Sequence, residues 1–313
     1  MDKLGDMDLF VRVVKNAGLA AAGREVGLSP ASMSARINAL EERYGTRLLN
    51  RSTRHVSATE TGQQFYEACL GILADVNEVE SQIFTGQETL SGTLRITASS
   101  DMGQLHIAKV LSQFVEKHPD LVPYLNLSDG IVNIIEEGFD LAIRYGDLPD
   151  SSLVARKLAS NHRVLCASPE YLESKGTPST LQELSEHDCL VMTRGTEPLT
   201  NWYFQTDKGV ETIPIKPSRS SNDGALIRRW AMEGAGIALK SYLEVAGDIK
   251  AGRLNVVLED YEPDFSKSGA AKKQFERSSA TDLHVIYPSR QYVPKRVQAF
   301  IEDLQEYFRE LGL

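Results

Sequence analysis

The sequence predicts a chain in three parts: a small α-helical module closed by a short β-hairpin, one long amphipathic helix, and a larger α/β body. Three observations predict it. Apolar residues recur at helical spacing as far as Tyr44, and a basic, turn-rich stretch follows. From Phe65 to Ile83 the apolar residues then step by four and three, the spacing of a coiled-coil seam. Beyond Thr93, short alternating or apolar runs take turns with helical patterns, as strands and helices do in an α/β fold.

Residues 4–15 read as a helix, with Leu9, Phe10, Val13 and Val14 at helical spacing and Gly18 ending it. An Ala-rich second helix covers 19–26 and breaks at Gly27. Ser29 then serves as an N-cap and Pro30 fills the first helical position of a third helix. That helix carries Met33, Ile37 and Leu40 on its apolar face and stops at Gly45. Two short strands around a basic turn follow over 47–59. Helix, tight turn, helix and basic hairpin together make a winged helix-turn-helix. The major groove admits one α-helix, and side chains at its N-terminal end read base edges. Here that end offers Ser29, Pro30, Ala31, Ser32, Ser34, Ala35 and Arg36, small enough to let the backbone approach DNA. Arg47, Arg51, Thr53 and Arg54 on the wing suit phosphate or minor-groove contact. A plain helical domain with solvated arginines is the competing reading.

A length of 313 residues exceeds one ordinary core and fits several domains. Net charge is −9, which is unpromising for a nucleic-acid binder until it is divided. Nine lysines and arginines against seven aspartates and glutamates leave +2 over residues 1–62, so the remainder carries −11. Parts of opposite charge point to different partners. The three cysteines, Cys69, Cys166 and Cys189, are odd in number and widely spaced, which does not read as a disulfide framework. Asp2, Asp6 and Asp8 near the N-terminus do not read as a signal peptide, and no apolar run is long enough to span a bilayer. A cytoplasmic protein with no membrane partner is expected.

A long helix is predicted from about Thr59, with Phe65, Cys69, Ile72, Val76, Val79 and Ile83 as its stripe. The stripe is narrow and its flanks polar, which favours a dimer seam over packing on its own domain. Residues 86–92 read as a linker. Strands are predicted at 94–98, 122–127, 139–145, 163–167, 189–192, 237–239 and 283–287. Helices are predicted at 105–118, 131–137, 222–234, 241–251 and 294–311, around a mainly parallel sheet. The stretch 266–281, with Lys267, Lys272, Lys273 and Arg277, reads as a polar mobile loop.

Several tempting pairs have plain readings. His162 and Cys166 bracket an apolar strand, and Cys166 reads as core. His187, Asp188 and Cys189 open another strand and read likewise. Glu233-Gly234-Ala235-Gly236 lies between a helix and a strand, the wrong order for a dinucleotide loop. Glu136 and Glu137 read as a solvated face. No metal-type cluster, cofactor motif or nucleophile–base set is evident.

The residues also resemble a family. Leu28-Ser29-Pro30-Ala31-Ser32-Met33-Ser34, Leu40-Glu41, the run from Gly45 to Arg54, and Thr59-Glu60-Thr61-Gly62 look like the DNA-binding domain of LysR-type transcriptional regulators. Gly92-Thr93-Leu94-Arg95-Ile96, the run from Glu137 to Arg144, Asp150-Ser151-Ser152-Leu153-Val154, the run from Leu165 to Pro169, and Asn222-Asp223-Gly224 match that family's effector domain. The resemblance covers nearly the whole chain. It implies a winged helix-turn-helix over 1–62, a dimerising linker helix over 63–91, and an effector domain over 92–313. That domain would have two Rossmann-like lobes of the periplasmic binding protein type II kind. Lobe 1 would hold 92–161 and 266–313, and lobe 2 would hold 162–265. The implied partners are double-stranded promoter DNA, a small-molecule effector, RNA polymerase, and further copies in a homodimer or a dimer of dimers. Around the effector the resemblance places Ser99, Ser100, Asp101, Ser128, Asp129, Tyr145, Gly146, Thr193, Trp202, Asn222 and Asp223.

Two departures bear on mechanism. Many members have Arg directly after the recognition-helix serine, where this chain has Ala35. Arg36 follows one residue later, turned by about 100° around the helix and so toward backbone rather than bases. Asp101 stands where relatives have a hydroxyl. It either occupies the positive end of a helix, which would disfavour a dianionic effector, or is simply an N-cap. A solute-binding protein or an enzyme built on the α/β part alone are the alternatives; the wing and the lack of a signal-peptide pattern argue against the first, and no nucleophile–base set or metal quartet supports the second.

Overall fold

A computed structural model describes residues 2–51, 56–85, 90–146, 153–263, 281–289 and 293–312. The chain forms two compact units. One comprises Met1–Leu94, His118–Val122 and Glu136–Gly138; the other comprises Arg95–Lys117, Pro123–Ile135 and Phe139–Leu313.

In the first unit, helices α1 (Lys3–Lys15), α2 (Leu19–Val26) and α3 (Pro30–Tyr44) precede a hairpin of β1 (Leu49–Arg51) and β2 (Val56–Ala58). A long helix α4 (Glu60–Thr85) follows. Local chemistry sets these limits. Ser29 Oγ accepts from the Ser32 N–H at 3.1 Å and Pro30 opens α3, while Gly45 closes it at φ +64°. Helix α1 stops at Asn16 rather than at Gly18: Ala17 takes φ +49° and Gly18 enters α2 extended. Leu9, Phe10, Val13, Ala22, Met33, Ile37, Leu40, Leu48 and Leu49 form one core. Burial of each larger side chain contributes about 1.5–3 kcal/mol.

The hairpin is antiparallel, pairing Leu49 with Ala58 and Arg51 with Val56. It is tied down at its root. Glu41 Oε1 on α3 accepts the Leu48 and Leu49 N–H groups at 2.8 and 3.0 Å. Thr59 Oγ1 donates to Arg47 O and accepts from Gly62 N, both at 2.9 Å. A Cβ at Gly62 would lie 1.8 Å from the Leu48 carbonyl oxygen, so only glycine lets α4 start this close to the wing.

The second unit holds two mixed sheets and a smaller three-stranded antiparallel one. Its elements are β3 (Gly92–Ala98), α5 (Ser100–Met102), α6 (Ala108–Lys117), β4 (Leu121–Leu127), β5 (Leu141–Tyr145) and β6 (Leu153–Ala159). Then come β7 (Arg163–Ala167), α7 (Pro169–Lys175), β8 (Cys189–Arg194), β9 (Glu197–Pro198), β10 (Asn201–Thr206), β11 (Gly209–Pro214) and β12 (Pro217–Ser221). The chain continues through α8 (Gly224–Met232), β13 (Ile237–Ser241), α9 (Tyr242–Lys250), β14 (Asn255–Val257), β15 (Glu262–Pro263), β16 (Leu283–Pro288) and α10 (Lys295–Glu310). A π-turn, Gly103–Ile107, joins α5 to α6.

Lobe 1 carries the sheet β4-β3-β5-β16-β6, and lobe 2 carries β12-β8-β13-β7-β14. The predicted mainly parallel sheet is corrected to two mixed ones. β3 pairs parallel with β5, and β8 with β12 and β13, but β16 and β7 run antiparallel to their neighbours. Val297, Phe300, Ile301, Leu304 and Phe308 of α10 are buried as the periodicity predicts, and Phe114 of α6 meets Phe300 edge-on at 5.1 Å. No helix forms at 131–137. Residues 134–138 make only a turn, in which Asn133 Oδ1 accepts from Ile135 N and Gly138 adopts φ +68°. β6 and the β10–β11 hairpin were not anticipated. The loop predicted at 266–281 falls almost wholly outside the described residues, as does Asp150 to Ser152.

Gly62→Ala is expected to lower the stability of the winged helix by at least ~2 kcal/mol, because rigid backbone must move. Urea unfolding of the full chain reads it, and an unchanged midpoint for the first unit would refute this account of the root.

Candidate nucleic-acid interface and effector cleft

At the start of α3, Ser29, Pro30, Ala31, Ser32 and Ala35 are exposed and Ser34 is half-buried. The Ser29 and Ser32 hydroxyls lie 2.9 Å apart, so part of their hydrogen-bonding capacity is spent on the cap. Arg36 is engaged within its own domain. Its Nε and Nη2 donate to Asp6 Oδ1 at 3.1 and 2.6 Å, and Arg43 Nη2 donates to the other oxygen at 3.1 Å. Asp6 is buried on α1. Arg36 therefore ties α3 to α1, while its side chain stays 40% exposed. A residue on this exposed face that the sequence reading passed over is Asn38. It is exposed, and it continues the ridge of Ala31 and Ala35 at i, i+4 and i+7. An amide there suits the edge of adenine. Arg47 is exposed; the Arg51 backbone lies in β1; Thr53 and Arg54 lie outside the described residues.

The α4 stripe divides. Phe65 packs on Phe10 and Tyr44, with ring centroids 5.2 Å away in each case, and Cys69 is wholly buried. These two face their own domain, which corrects their assignment to a dimer seam. Ile72 is exposed and Val76 half-buried; the side chains of Val79 and Ile83 lie outside the described set.

At the junction of the lobes, a charged network is buried. Asp101 is 1% exposed and lies 2.7 Å from Lys240 Nζ and 3.4 Å from Arg228 Nη1. Lys240 is itself 4% exposed. Its ammonium also pairs with Glu244 at 2.8 Å and donates to the Gly224 carbonyl at 2.8 Å. Arg228 Nε reaches Asp248 at 2.6 Å, and Arg253 meets the same carboxylate. Burial pushes the Asp101 carboxyl up to about 6, with Glu244 adding to the rise and Lys240 and Arg228 opposing it. Asp101 thus neither caps its helix nor offers a free carboxylate to a ligand. The cap position belongs to Ser99, and the Ser100 N–H is taken by Asp129 Oδ1 at 3.1 Å.

Asp129 bridges the lobes, since its Oδ2 accepts from Gly224 N at the start of α8 at 2.7 Å. Ser128, beside it, accepts the Gly130 N–H at Oγ. Tyr145 Oη lies 3.0 Å from Ser241 Oγ, a second crossing, and burial raises its pKa well above the usual phenol value. His106 makes a third, bonding the Leu243 carbonyl at 3.1 Å. Gly146, at φ +87°, donates to Asp282 O. Asp223 is a structural cap, accepting from Ala225 and Leu226 N–H. Asn222 is exposed and Thr193 half-buried, while Trp202 packs with Phe204 and Ile213 in the apolar core of lobe 2.

Sequence reasoning missed Arg228, Lys240 and Glu244. One signal was present: a lysine inside the apolar strand Ile237–Ser241. The thiols of Cys69, Cys166 and Cys189 are raised by burial to about 11, 12 and 12, and none is a poised nucleophile. His162 stacks on Tyr242 at 4.7 Å. Among the described residues, no group of three His, Cys, Asp or Glu is placed to hold a metal ion, and no helix is long and apolar enough to cross a membrane.

A winged helix-turn-helix with an exposed recognition helix, followed by a two-lobed α/β domain with a polar junction, defines a ligand-responsive DNA-binding regulator. Comparison with known proteins gives the family. The bacterial regulatory helix-turn-helix of the lysR family matches residues 4–63, and the LysR substrate binding domain matches residues 87–309. The HTH-type transcriptional regulator DmlR of Escherichia coli K12 is 35% identical over 307 residues, covering 98% of this chain and 95% of that protein. The transcriptional activator AaeR of the same organism is 32% identical over 315 residues, covering 100% and 96%. Among solved structures, CrgA from Neisseria meningitidis aligns at 28% identity and a TM-score of 0.60, over 98% of this chain and 99% of that one. The chain belongs to the LysR family of transcriptional regulators.

If Arg36 is a strut, Arg36→Ala should cost stability and leave the preferred operator sequence unchanged. A double-mutant cycle with Asp6→Ala should show coupling of roughly 0.5–1 kcal/mol. Selection from randomised duplexes checks the second point; a shifted preference would return Arg36 to the groove.

Proposed function

We propose that the chain controls transcription from promoter DNA read by the first turns of α3, in response to a small molecule held where the two lobes meet. The observation that carries this is the exposed ridge of Ser29 to Ser32, Ala35 and Asn38, backed by a rigid core and the Asp6 strut. Arg47, Arg51, Thr53 and Arg54 contact phosphate or the minor groove in this reading. We assign DNA binding to residues 1–62, the linker to 63–91 and effector binding to 92–313. Lobe 1 then comprises 92–161 and 266–313, and lobe 2 comprises 162–265. Ser99, Ser100, Ser128, Asp129, Tyr145, Gly146, Thr193, Asn222 and Asp223 are its effector-site residues, with Trp202 supporting from the core. The protein acts in the cytoplasm, as a homodimer or homotetramer, and works with RNA polymerase. Exposed Ile72 and half-buried Val76 on α4 support the pairing of two copies.

A gel-shift assay with the DNA upstream of the chain's own gene tests the reading. Site-specific, salt-dependent binding is expected, and no preference for any promoter fragment at moderate ionic strength would refute it. Arg47→Ala should weaken binding on all sequences alike and flatten the salt dependence by about one unit of slope; a loss confined to one operator would contradict a phosphate role.

Ile72→Asp with Val76→Asp should leave a monomer that binds the promoter poorly. Sedimentation velocity decides, since an undiminished oligomer removes these residues from the seam.

A further inference from the structure

We propose that Asn38 is the residue of α3 that fixes one base of the promoter: its side-chain amide pairs with the major-groove edge of a single adenine in each half-site. The inference rests on the regulator reading above and deepens it, naming the base and the side chain that selects it.

The exposed face of α3 holds few groups that can tell bases apart. Ala31 and Ala35 carry only methyl groups. The Ser29 and Ser32 hydroxyls lie 2.9 Å apart, and Ser29 Oγ also caps the helix. Arg36 and Arg43 are paired with Asp6 at 2.6 and 3.1 Å. Asn38 is exposed, and among the described residues no hydrogen bond occupies its amide. It continues the ridge of Ala31 and Ala35 at i, i+4 and i+7, a spacing at which a helix lying in the major groove meets base edges. Along the axis it stands about 10 Å from Ala31, or about three base-pair steps. The next residue on the ridge is Glu42, exposed and acidic. Phosphates repel that carboxylate, so base contact ends at Asn38.

A carboxamide sets an acceptor oxygen beside an amino donor. Among the major-groove edges only adenine matches both on one base, with N7 as acceptor and the N6 amino group as donor. Guanine offers two acceptors, thymine one acceptor and a methyl group, and cytosine one donor, so each leaves half of the amide unpaired. Asparagine is short, and its reach depends on its neighbours. The methyl-sized Ala31 and Ala35 let the α3 backbone come close to the base edges. Met33, Ile37 and Leu40, buried on the opposite face, and the pairs with Asp6 hold the helix in one orientation. A merely solvated Asn38 is the competing account, and it assigns no base preference to this residue.

The test is selection from randomised duplexes by the full-length protein, comparing the wild type with Asn38→Ala and Asn38→Arg at one salt concentration. Alanine is a better helix former than asparagine, so Asn38→Ala keeps the fold, and an undiminished thermal midpoint checks this. The wild type should fix adenine at one position of the half-site. Asn38→Ala should lose that base alone and bind the wild-type site about five- to 150-fold more weakly. Asn38→Arg should select guanine there, whose two acceptors suit a guanidinium. An adenine analogue with carbon in place of N7 still forms its base pair; at this position it should weaken binding by the wild type and leave Asn38→Ala unaffected. An unaltered preference in Asn38→Ala overturns the proposal, as does an equal loss on all sequences, which would make Asn38 a phosphate contact. A wild type that selects no sequence sinks the regulator reading itself, whereas a wild-type preference that Asn38→Ala retains sinks only the role of Asn38.

Discussion

An ammonium group with almost no access to water has to be neutralised where it sits, and Lys240 sets this requirement for the whole second unit. Its place in β13 is fixed by Ile237, Ala238 and Leu239, which are buried on the strand beside it. The charge then draws Asp101 from lobe 1 and Glu244 from lobe 2 onto one point. Removing either carboxylate would leave a buried charge short of partners, a change of several kcal/mol, whereas replacing the set by apolar groups could be neutral. The network therefore says more about how the lobes register than about how stable they are. Tyr145 with Ser241, and His106 with the Leu243 carbonyl, repeat the registration at other points.

The first unit solves a similar problem with one carboxylate. Asp6 on α1 gathers Arg36 and Arg43, two turns apart on α3, and fixes how that helix packs on α1. Two guanidinium groups are thereby tied to the packing of α1 on α3. The exposed ridge of α3 is left to small residues and one amide, Asn38.

Much of this was legible in the sequence where the cause is local. Caps at Ser29 and Gly45, the apolar spacing of α1, α3 and α10, and the wing all follow from residues within a turn or two of each other. The displacement of Arg36 by one position was legible too, but its partner lies thirty residues away, and no spacing rule points to Asp6. The same distance hid the Lys240 network and the division of α4. A four-three step looks the same whether Phe65 meets a second copy or Phe10. At 131–137 periodicity misled, because four apolar residues in seven matched a helix while Asn133 and Gly138 favoured a turn. The β10–β11 hairpin carried a readable signal in alternating Trp202 and Phe204 before Asp207 and Lys208, and it was passed over for its polar neighbours.

The wide turn at Gly103–Ile107 contains an additional residue compared with a regular helical turn. It rephases the helix, so that Asp101 can be committed to the second lobe while Phe114 stays committed to α10. Gly103 makes room for it, because a methyl there would run into the Leu127 side chain. One helix therefore satisfies two surfaces whose angular positions were never matched. A related chain could lose or gain a single residue at this point and rotate one surface against the other, re-aiming the end at Ser100 without touching the core.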